Sequence, residues 1–338
     1  MGRNRIKHMA SIQEGTSLTA QVERGDGTGF KAQRYDIEAS QLILKKLAKR
    51  RQTLAEAIAE RNLYLRVSLV GYCNLCCRHC HNEGAPKSGQ LELSLAVRVM
   101  RCAHDLGFRR VQFTGGEPLL HPQVNDFVRE ARRIFTDVGI TSNGVFLGSK
   151  IDDLISVGVS RIHISIGMEA AQGRSDEAIP STTNLLIALL KASARGINVR
   201  VNLPVLETVG DVTLEFIENL LMSGCDVELF EILPISNVSR NHQVDMSKVL
   251  KRVQRVKRSS SGIKGRLIFR PYLAPKGLRC KVCDAALLCR EKSRSLRLGA
   301  DGFLRPCLAS RRWDMALTQD QLDIQIERAA VFAIDYTW

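Results

Sequence analysis

"LRVSLVGYCNLCCRHCHNEG", residues 65–84, joins a short aliphatic run to a loop that holds four of the chain's ten cysteines. The first seven residues read as a strand, with Leu65, Val67 and Leu69 alternating with Arg66 and Ser68. A strand that runs straight into a cluster of metal-ligand side chains is how α/β enzymes place chemistry at the carboxyl end of a sheet. Working outward, the pattern recurs in "RVQFTG" (110–115), "VGITSNG" (138–144), "RIHISIG" (161–167), "NVRVNLPVL" (198–206) and "DVELFEILP" (226–234). Segments with helical apolar spacing and closing glycines lie between, among them "LSLAVRVMRCAHDLG", "PSTTNLLIALLKASARG" and "VTLEFIENLLMSG". Six β-then-α units predict a parallel sheet, as a partial barrel or an open doubly wound sheet. Five of the six strands lead into unusual composition: the cysteine cluster, "TGGEP", "TSNG", "SIGME" and "LPIS". One rim of the sheet is therefore the expected active site.

Composition narrows the class. At 338 residues and 44% hydrophobic, the chain can bury a substantial core. It has no uncharged apolar run of about 18 residues, and "MGRNRIKHMASIQEG" at the N-terminus lacks a signal-type apolar region. A cytoplasmic protein with no membrane partner is the expectation. Ten unevenly clustered cysteines in such a chain favour metal or redox chemistry over a disulfide framework. The net charge of +14 is concentrated: residues 239–338 carry 21 Lys+Arg against 9 Asp+Glu, while 61–238 carry 17 against 19. A basic third suits a phosphate-bearing substrate or nucleic acid, and is equally what a solvated basic surface looks like. "QLILKKLAKRRQTLAEAIAERN" reads as a helix covering the barrel's end, after a polar, Gly-rich stretch (1–35) expected as a mobile arm. The expected organisation is an N-terminal arm and helix (1–60), a β/α core (61–239) and a basic C-terminal domain (240–338).

Cys73, Cys77 and Cys80 form C-x3-C-x2-C. Three thiolates on a tight loop can hold three irons of a [4Fe-4S] cluster and leave the fourth iron open. Zinc held by Cys77, Cys80, His79 and His81 is the alternative. Followed by "GGEP" at the next strand end, the motif resembles the radical S-adenosylmethionine (SAM) superfamily. That resemblance implies a partial (β/α)6 TIM barrel whose open iron chelates the methionine end of SAM. One-electron reduction, by a partner such as flavodoxin or ferredoxin, then yields methionine and a 5′-deoxyadenosyl radical. It also implies SAM-binding roles: His79 where an aromatic side chain usually lies near the adenine, Gly115 and Gly116 as bare backbone, and Glu117 near the amino group. Ser142, Asn143, Ser165 and Asn202 fall where family members contact the ribose, methionine carboxylate and adenine, although Ser and Asn there also satisfy local turns. Cys76 lies outside the motif and, like Cys102 and Cys225, is expected to pack. A homodimer is a further expectation.

Cys280, Cys283, Cys289 and Cys307 form a second set, C-x2-C-x5-C followed by a G-x4-C ending at Cys307. Four thiolates so spaced suit an auxiliary [4Fe-4S] cluster or structural zinc, either acting as a staple for a loosely patterned domain. "LRLGADGFLRPCL", with "LRVS", "TGGEPLL", "TSNG" and "LFEILP", resembles the GTP 3′,8-cyclase family, the radical SAM enzymes that begin molybdenum-cofactor synthesis. The resemblance makes Arg66 and Arg297 substrate-binding residues that grip phosphate. Four departures stand against GTP itself. Cys289 adds a ligand that would close the auxiliary cluster's open iron, Ser295 replaces one arginine of a pair, Glu228 replaces another, and "AIDYTW" replaces a Gly-Gly tail. The expected activity is hydrogen abstraction from an anionic, nucleotide-like small molecule (a nucleotide or nucleotide sugar), forming a carbon-carbon bond or rearranging the skeleton. GTP 3′,8-cyclisation, modification of a ribosomally made peptide, and a zinc-stapled RNA-binding protein are the alternatives.

Overall fold

In the computed structural model the described residues are 9–11, 17–21, 33–77, 80, 87–167, 182–205, 209–231, 245–259, 262–270, 295–306 and 315–335. The chain divides into two compact units, Met1–Glu56 and Ala57–Trp338. In the first, β1 (Met9–Ser11), β2 (Ser17–Gln21) and β3 (Gln33–Asp36) form an antiparallel sheet in that order. Within the stretch expected as a mobile arm, these three short segments are strands. "SLTAQ" and "QRYD" are short alternating strands. Helix α1 (Ile37–Glu60) follows and runs across the division between the units.

The second unit is built on β4 (Tyr64–Ser68), β5 (Arg110–Thr114), β6 (Asp137–Ser142), β7 (Arg161–Ser165), β8 (Asn198–Val205) and β9 (Asp226–Glu231). All are parallel and each pairs with the next in sequence. A doubly wound sheet reverses its strand order at a switch point, whereas an unbroken order is barrel winding. The helices α2 (Leu93–Asp105), α3 (Val124–Ile134), α4 (Leu147–Ser156), α5 (Thr182–Ala194) and α6 (Asp211–Met222) fill the crossovers.

Alternate strand residues build the core between sheet and helices. Leu65, Val67, Val111, Phe113, Val138, Ile140, Ile162, Ile164, Val201 and Leu203 are completely buried. They face the apolar stripes of the helices, Val99 and Met100 on α2 and Phe127 and Val128 on α3 among them. Phe113 meets Phe127 edge-on, with ring centroids 6.1 Å apart.

The C-terminal third is more regular than its sequence pattern suggests. α7 (Met246–Ser259) is a helix, and β10 (Leu267–Arg270) adds to the sheet in parallel beside β9. At the opposite edge β11 (Ser295–Leu298) pairs in parallel with β4, and β12 (Phe303–Arg305) and β13 (Met315–Ala316) continue it antiparallel. α8 (Leu322–Asp335) packs on this edge against α2 and β11. Ten strands thus form one sheet.

Candidate active site

The remaining positions of the strands point to the inner face of the curved sheet, and most of them are polar, with Gly139, Pro204 and Phe230 the exceptions. β4 contributes Arg66 and Ser68, β5 Gln112 and Thr114, β6 Thr141, β7 Arg161, His163 and Ser165, β8 Arg200 and Asn202, and β9 Glu228. Strand register sets them in rows: Arg297, Arg66, Gln112, Gly139 and Arg161 in one, and Ser165, Asn202 and Glu228 in another nearer the carboxyl rim. (β/α) barrels ordinarily fill this space with branched aliphatics. An interior of arginines, amides and hydroxyls is built to receive a polar ligand.

At the rim the cysteine loop leaves β4 through a backbone seam with "TGGEP". Gly116 N–H donates to Val70 O (2.7 Å) and Glu117 N–H to Tyr72 O (3.0 Å). Gly115 adopts φ +147°, a conformation for glycine, and a Cβ on Gly116 would drive into the Tyr72 carbonyl. The two glycines were expected to leave backbone bare for SAM; their lack of side chains here lets the cysteine loop lie directly on this turn.

Glu117 is fully buried and its carboxylate is engaged within the protein. Oε1 accepts from Leu119 N–H (3.0 Å) and the Ser142 hydroxyl (2.9 Å), and Oε2 from Asn143 N–H (2.7 Å). Burial raises its pKa, and these donors pull the other way. Ser142 is likewise buried and also accepts from Gly144 N–H. Glu117 and Ser142 therefore join "GGEP" to "TSNG". Asn143 extends the chain of contacts to the cysteine loop: its Nδ2 donates to Asn74 Oδ1 (2.9 Å) and approaches Cys73 Sγ (3.6 Å), which also takes Leu75 N–H (3.4 Å). Burial lifts the Cys73 thiol above its ordinary range, and these N–H groups oppose it.

Cys73 and Cys80 are exposed, Cys77 half-buried, and Cys80 N–H closes a turn onto Cys77 O. Among the described residues no three His, Cys, Asp or Glu side chains converge on one ion position. A cubane cluster asks three thiolates of one loop for three different irons, whereas zinc here would also need His79 and His81, which the described residues do not include. Cys76 is exposed, correcting the expectation that it packs: the loop leaves the core before reaching it. Cys225 is fully buried, whereas Cys102 is half-buried with its thiol pushed up to about 12 by burial and Asp323.

Arg66 and Arg297, far apart in sequence, are register partners across β4 and β11. Arg66 Nη2 reaches Thr114 Oγ1 (3.4 Å), and Arg297 is 6% exposed. Ser165 and Asn202 are register partners on β7 and β8. His79 and Cys280, Cys283, Cys289 and Cys307 lie outside the described residues.

The interior holds further groups that motif reading passes over. Arg161 Nε is 2.7 Å from Asp137 Oδ1, and Arg200 Nη1 is 2.9 Å from Glu228 Oε2. Gln112 Nε2 donates to Thr141 Oγ1 (3.0 Å), while its buried Oε1 finds no donor among the described residues. His163 is pushed down to about 3, by burial first and then by Arg200, Arg161, Arg66 and Arg110. It stays neutral in this field. The signal for these residues was in the sequence: parallel strands buried on both faces read as continuous apolar runs, and "LRVS", "RVQFT", "RIHIS" and "VRVN" alternate instead.

A barrel with an exposed cysteine loop at its rim and a polar interior beneath defines a class, and the sequence profile described as the radical SAM superfamily matches residues 67–221. Over those residues, a little under half of the chain, it is similar to that superfamily, whose members are enzymes that use SAM and a [4Fe-4S] cluster. In particular it is similar to GTP 3′,8-cyclases. It is 26% identical to that of Clostridium perfringens over 72% of this chain and 80% of that protein, and 27% identical to the probable one of Archaeoglobus fulgidus over 72% and 85%. Among solved structures, Streptococcus suis SuiB bound to the precursor peptide SuiA shares the fold, with TM-score 0.60 and 15% identity over 90% of this chain and 72% of that one.

Proposed function

We propose that Cys73, Cys77 and Cys80 hold the SAM-binding cluster and that the barrel interior receives an anionic, nucleotide-like small molecule. With both cofactors bound, reductive cleavage of SAM supplies a 5′-deoxyadenosyl radical that takes a hydrogen atom from the substrate. The observation that carries the reading is the set of guanidiniums on the inner face of the strands: the buried Arg297 in register with the part-buried Arg66, and the part-buried Arg161 and Arg200, which act with Arg66 on His163. Phosphate meets the fork of a guanidinium bidentately. Ser165 and Asn202, register partners nearer the rim than Arg161 and Arg200, suit contacts to SAM on that side of the chamber. The similarity to GTP 3′,8-cyclases supports a nucleotide. The nature of the product, by carbon-carbon bond formation or skeletal rearrangement, follows from which carbon loses hydrogen.

Cys280, Cys283, Cys289 and Cys307 are proposed to hold a second [4Fe-4S] cluster. Anaerobically reconstituted protein should then contain about eight irons per chain, falling to about four when these four cysteines are changed to Ala. The test of function is 5′-deoxyadenosine release under a strong reductant, with a panel of nucleotides and nucleotide sugars. The true substrate raises release and is consumed; Cys73→Ala, Cys77→Ala and Cys80→Ala abolish release. Unchanged release in those variants, or indifference to every phosphorylated compound, overturns the reading.

One observation favours a second reading. The antiparallel sheet β1–β3 leaves β1 and β3 as edge strands within that sheet, and an edge strand can take up a peptide by strand addition. Binding of a short peptide that is lost when residues 1–36 are removed would support a peptide substrate.

A further inference from the structure

Glu228 is the conspicuous misfit of the barrel interior. It is 7% exposed, stands in the same register row as Ser165 and Asn202, and ties down Arg200 through a contact of 2.9 Å. Arg200 in turn is one of the four guanidiniums whose field reaches His163, the others being Arg161, Arg66 and Arg110. Asp137 engages Arg161 at the amino end of the strands, away from the rim. Glu228 instead sits nearer the carboxyl end, one row above Arg200 and level with Asn202.

We propose that Glu228 limits the number of phosphates the barrel admits, so that the substrate carries a single phosphate monoester and a triphosphate is excluded. This rests on the reading of the interior as an anion-binding chamber and makes that chamber selective. A fixed carboxylate acts on a phosphate chain in two ways. It engages part of Arg200, so the guanidinium presents fewer donors to an incoming anion. It also repels each added phosphate in a medium where charge is poorly screened, so the penalty grows with chain length. One dianionic phosphate can sit against Arg66 and the outward donors of Arg200 at a distance from the carboxylate. Three phosphates in the same space place charge against it. The buried Nε of Arg200, which finds no acceptor among the described residues, shows that the pair does not use all of this guanidinium. Selectivity built from repulsion is how sites reject a near-relative that shares every attractive group.

The test is calorimetric binding of guanosine 5′-monophosphate and guanosine 5′-triphosphate to the reconstituted enzyme with SAM, for the native protein, Glu228→Gln, Glu228→Asp and Arg200→Gln. Native protein should bind the monophosphate at least as tightly as the triphosphate. Glu228→Gln, which keeps shape and removes charge, should move the affinity ratio toward the triphosphate by about tenfold or more. Glu228→Asp keeps the charge and should keep the native preference for the monophosphate, and Arg200→Gln should weaken both ligands. An unchanged ratio in Glu228→Gln, with both ligands bound, overturns the role of Glu228 and leaves the chamber standing. Failure of both ligands to bind any of the four proteins overturns the chamber and this proposal together.

Discussion

Gly116 shows how closely one atom can control the centre. A methyl group at this position would collide with the carbonyl oxygen of Tyr72, which itself accepts the Glu117 N–H. Both groups are backbone, so neither can swing aside as a side chain would. Gly116→Ala should separate the cysteine loop from "TGGEP", reducing iron in the SAM-binding site several-fold while far-UV circular dichroism keeps the barrel signature. Iron and sulfide per chain, measured with the four C-terminal cysteines changed to Ala, is the assay, and undiminished loading would contradict the seam. His163 gives a different kind of test. Its folded-state pKa lies near 3, against about 6.5 in an unfolded chain. Above pH 6.5 both states are neutral and its contribution is intact; as the pH falls below that, the unfolded state takes the proton first and stability declines toward pH 3. His163→Asn should remove this part of the acid sensitivity, giving a flatter profile of urea unfolding midpoint between pH 7 and 4 than the native protein has. At this scale the sequence was legible where residues sit in motifs, as with Cys73 or Gly116. It was silent where meaning comes from neighbours on other strands: nothing local to "RIHIS" says that Arg66, Arg110 and Arg200 join its own Arg161 in acting on the histidine.

Strands show the same division. The six core strands could be read to within a few residues because each obeys a local rule, β-branched alternation ended by turn residues; "NVRVNLPVL" against Asn198–Val205 is typical. β10 to β13 escaped because they are two to four residues long, too short for periodicity, and are stabilised by the edges they join. β11 matters most, since its register alone brings Arg297 beside Arg66. Leu296 and Leu298, 1% and 0% exposed, hold it in place through the helix-facing side of the sheet. Leu296→Ala should cost about 2–5 kcal/mol by the cavity it leaves. If β11 positions the phosphate grip, the same change should also weaken nucleotide binding in protein that is still folded at the assay temperature. A loss of stability with native affinity would show that Arg297 is dispensable to the site. Glu228 and Arg200 meet through the same kind of cross-strand placement, which is why the sequence displays the acid but not its partner.

Across the whole molecule the question is what iron does for the fold. The sequence suggested that the C-terminal third would need a metal staple, because its apolar pattern is loose. Among the described residues, which include none of the four C-terminal cysteines, one sheet continues from β10 at one edge to β13 at the other, and α8 buries Ile326, Ala329, Ala330 and Ala333. The interior apolar layer runs from Leu65 and Val111 through Val227 and Leu229 without using Cys73, Cys77 or Cys80, which lie at the surface of the rim. In small metal-dependent domains the ligands are the core, so removing the metal unfolds them. Here the core is hydrophobic burial in a large α/β unit, and a cluster held by the proposed ligands Cys73, Cys77 and Cys80 would be a guest on its loop. Oxidative removal of all iron should therefore leave the far-UV spectrum of the barrel and its cooperative urea transition in place. The transition midpoint should shift by the equivalent of at most about 1–2 kcal/mol, the scale of ordering a single loop rather than of losing a core. Hydrogen exchange would localise the change: amides of residues 70–80 should lose protection while those of β5 to β8 keep it. Collapse of protection throughout β5 to β8 on iron removal would mean that the cluster holds the barrel together, and that the continuous sheet is a consequence of metal binding rather than its scaffold.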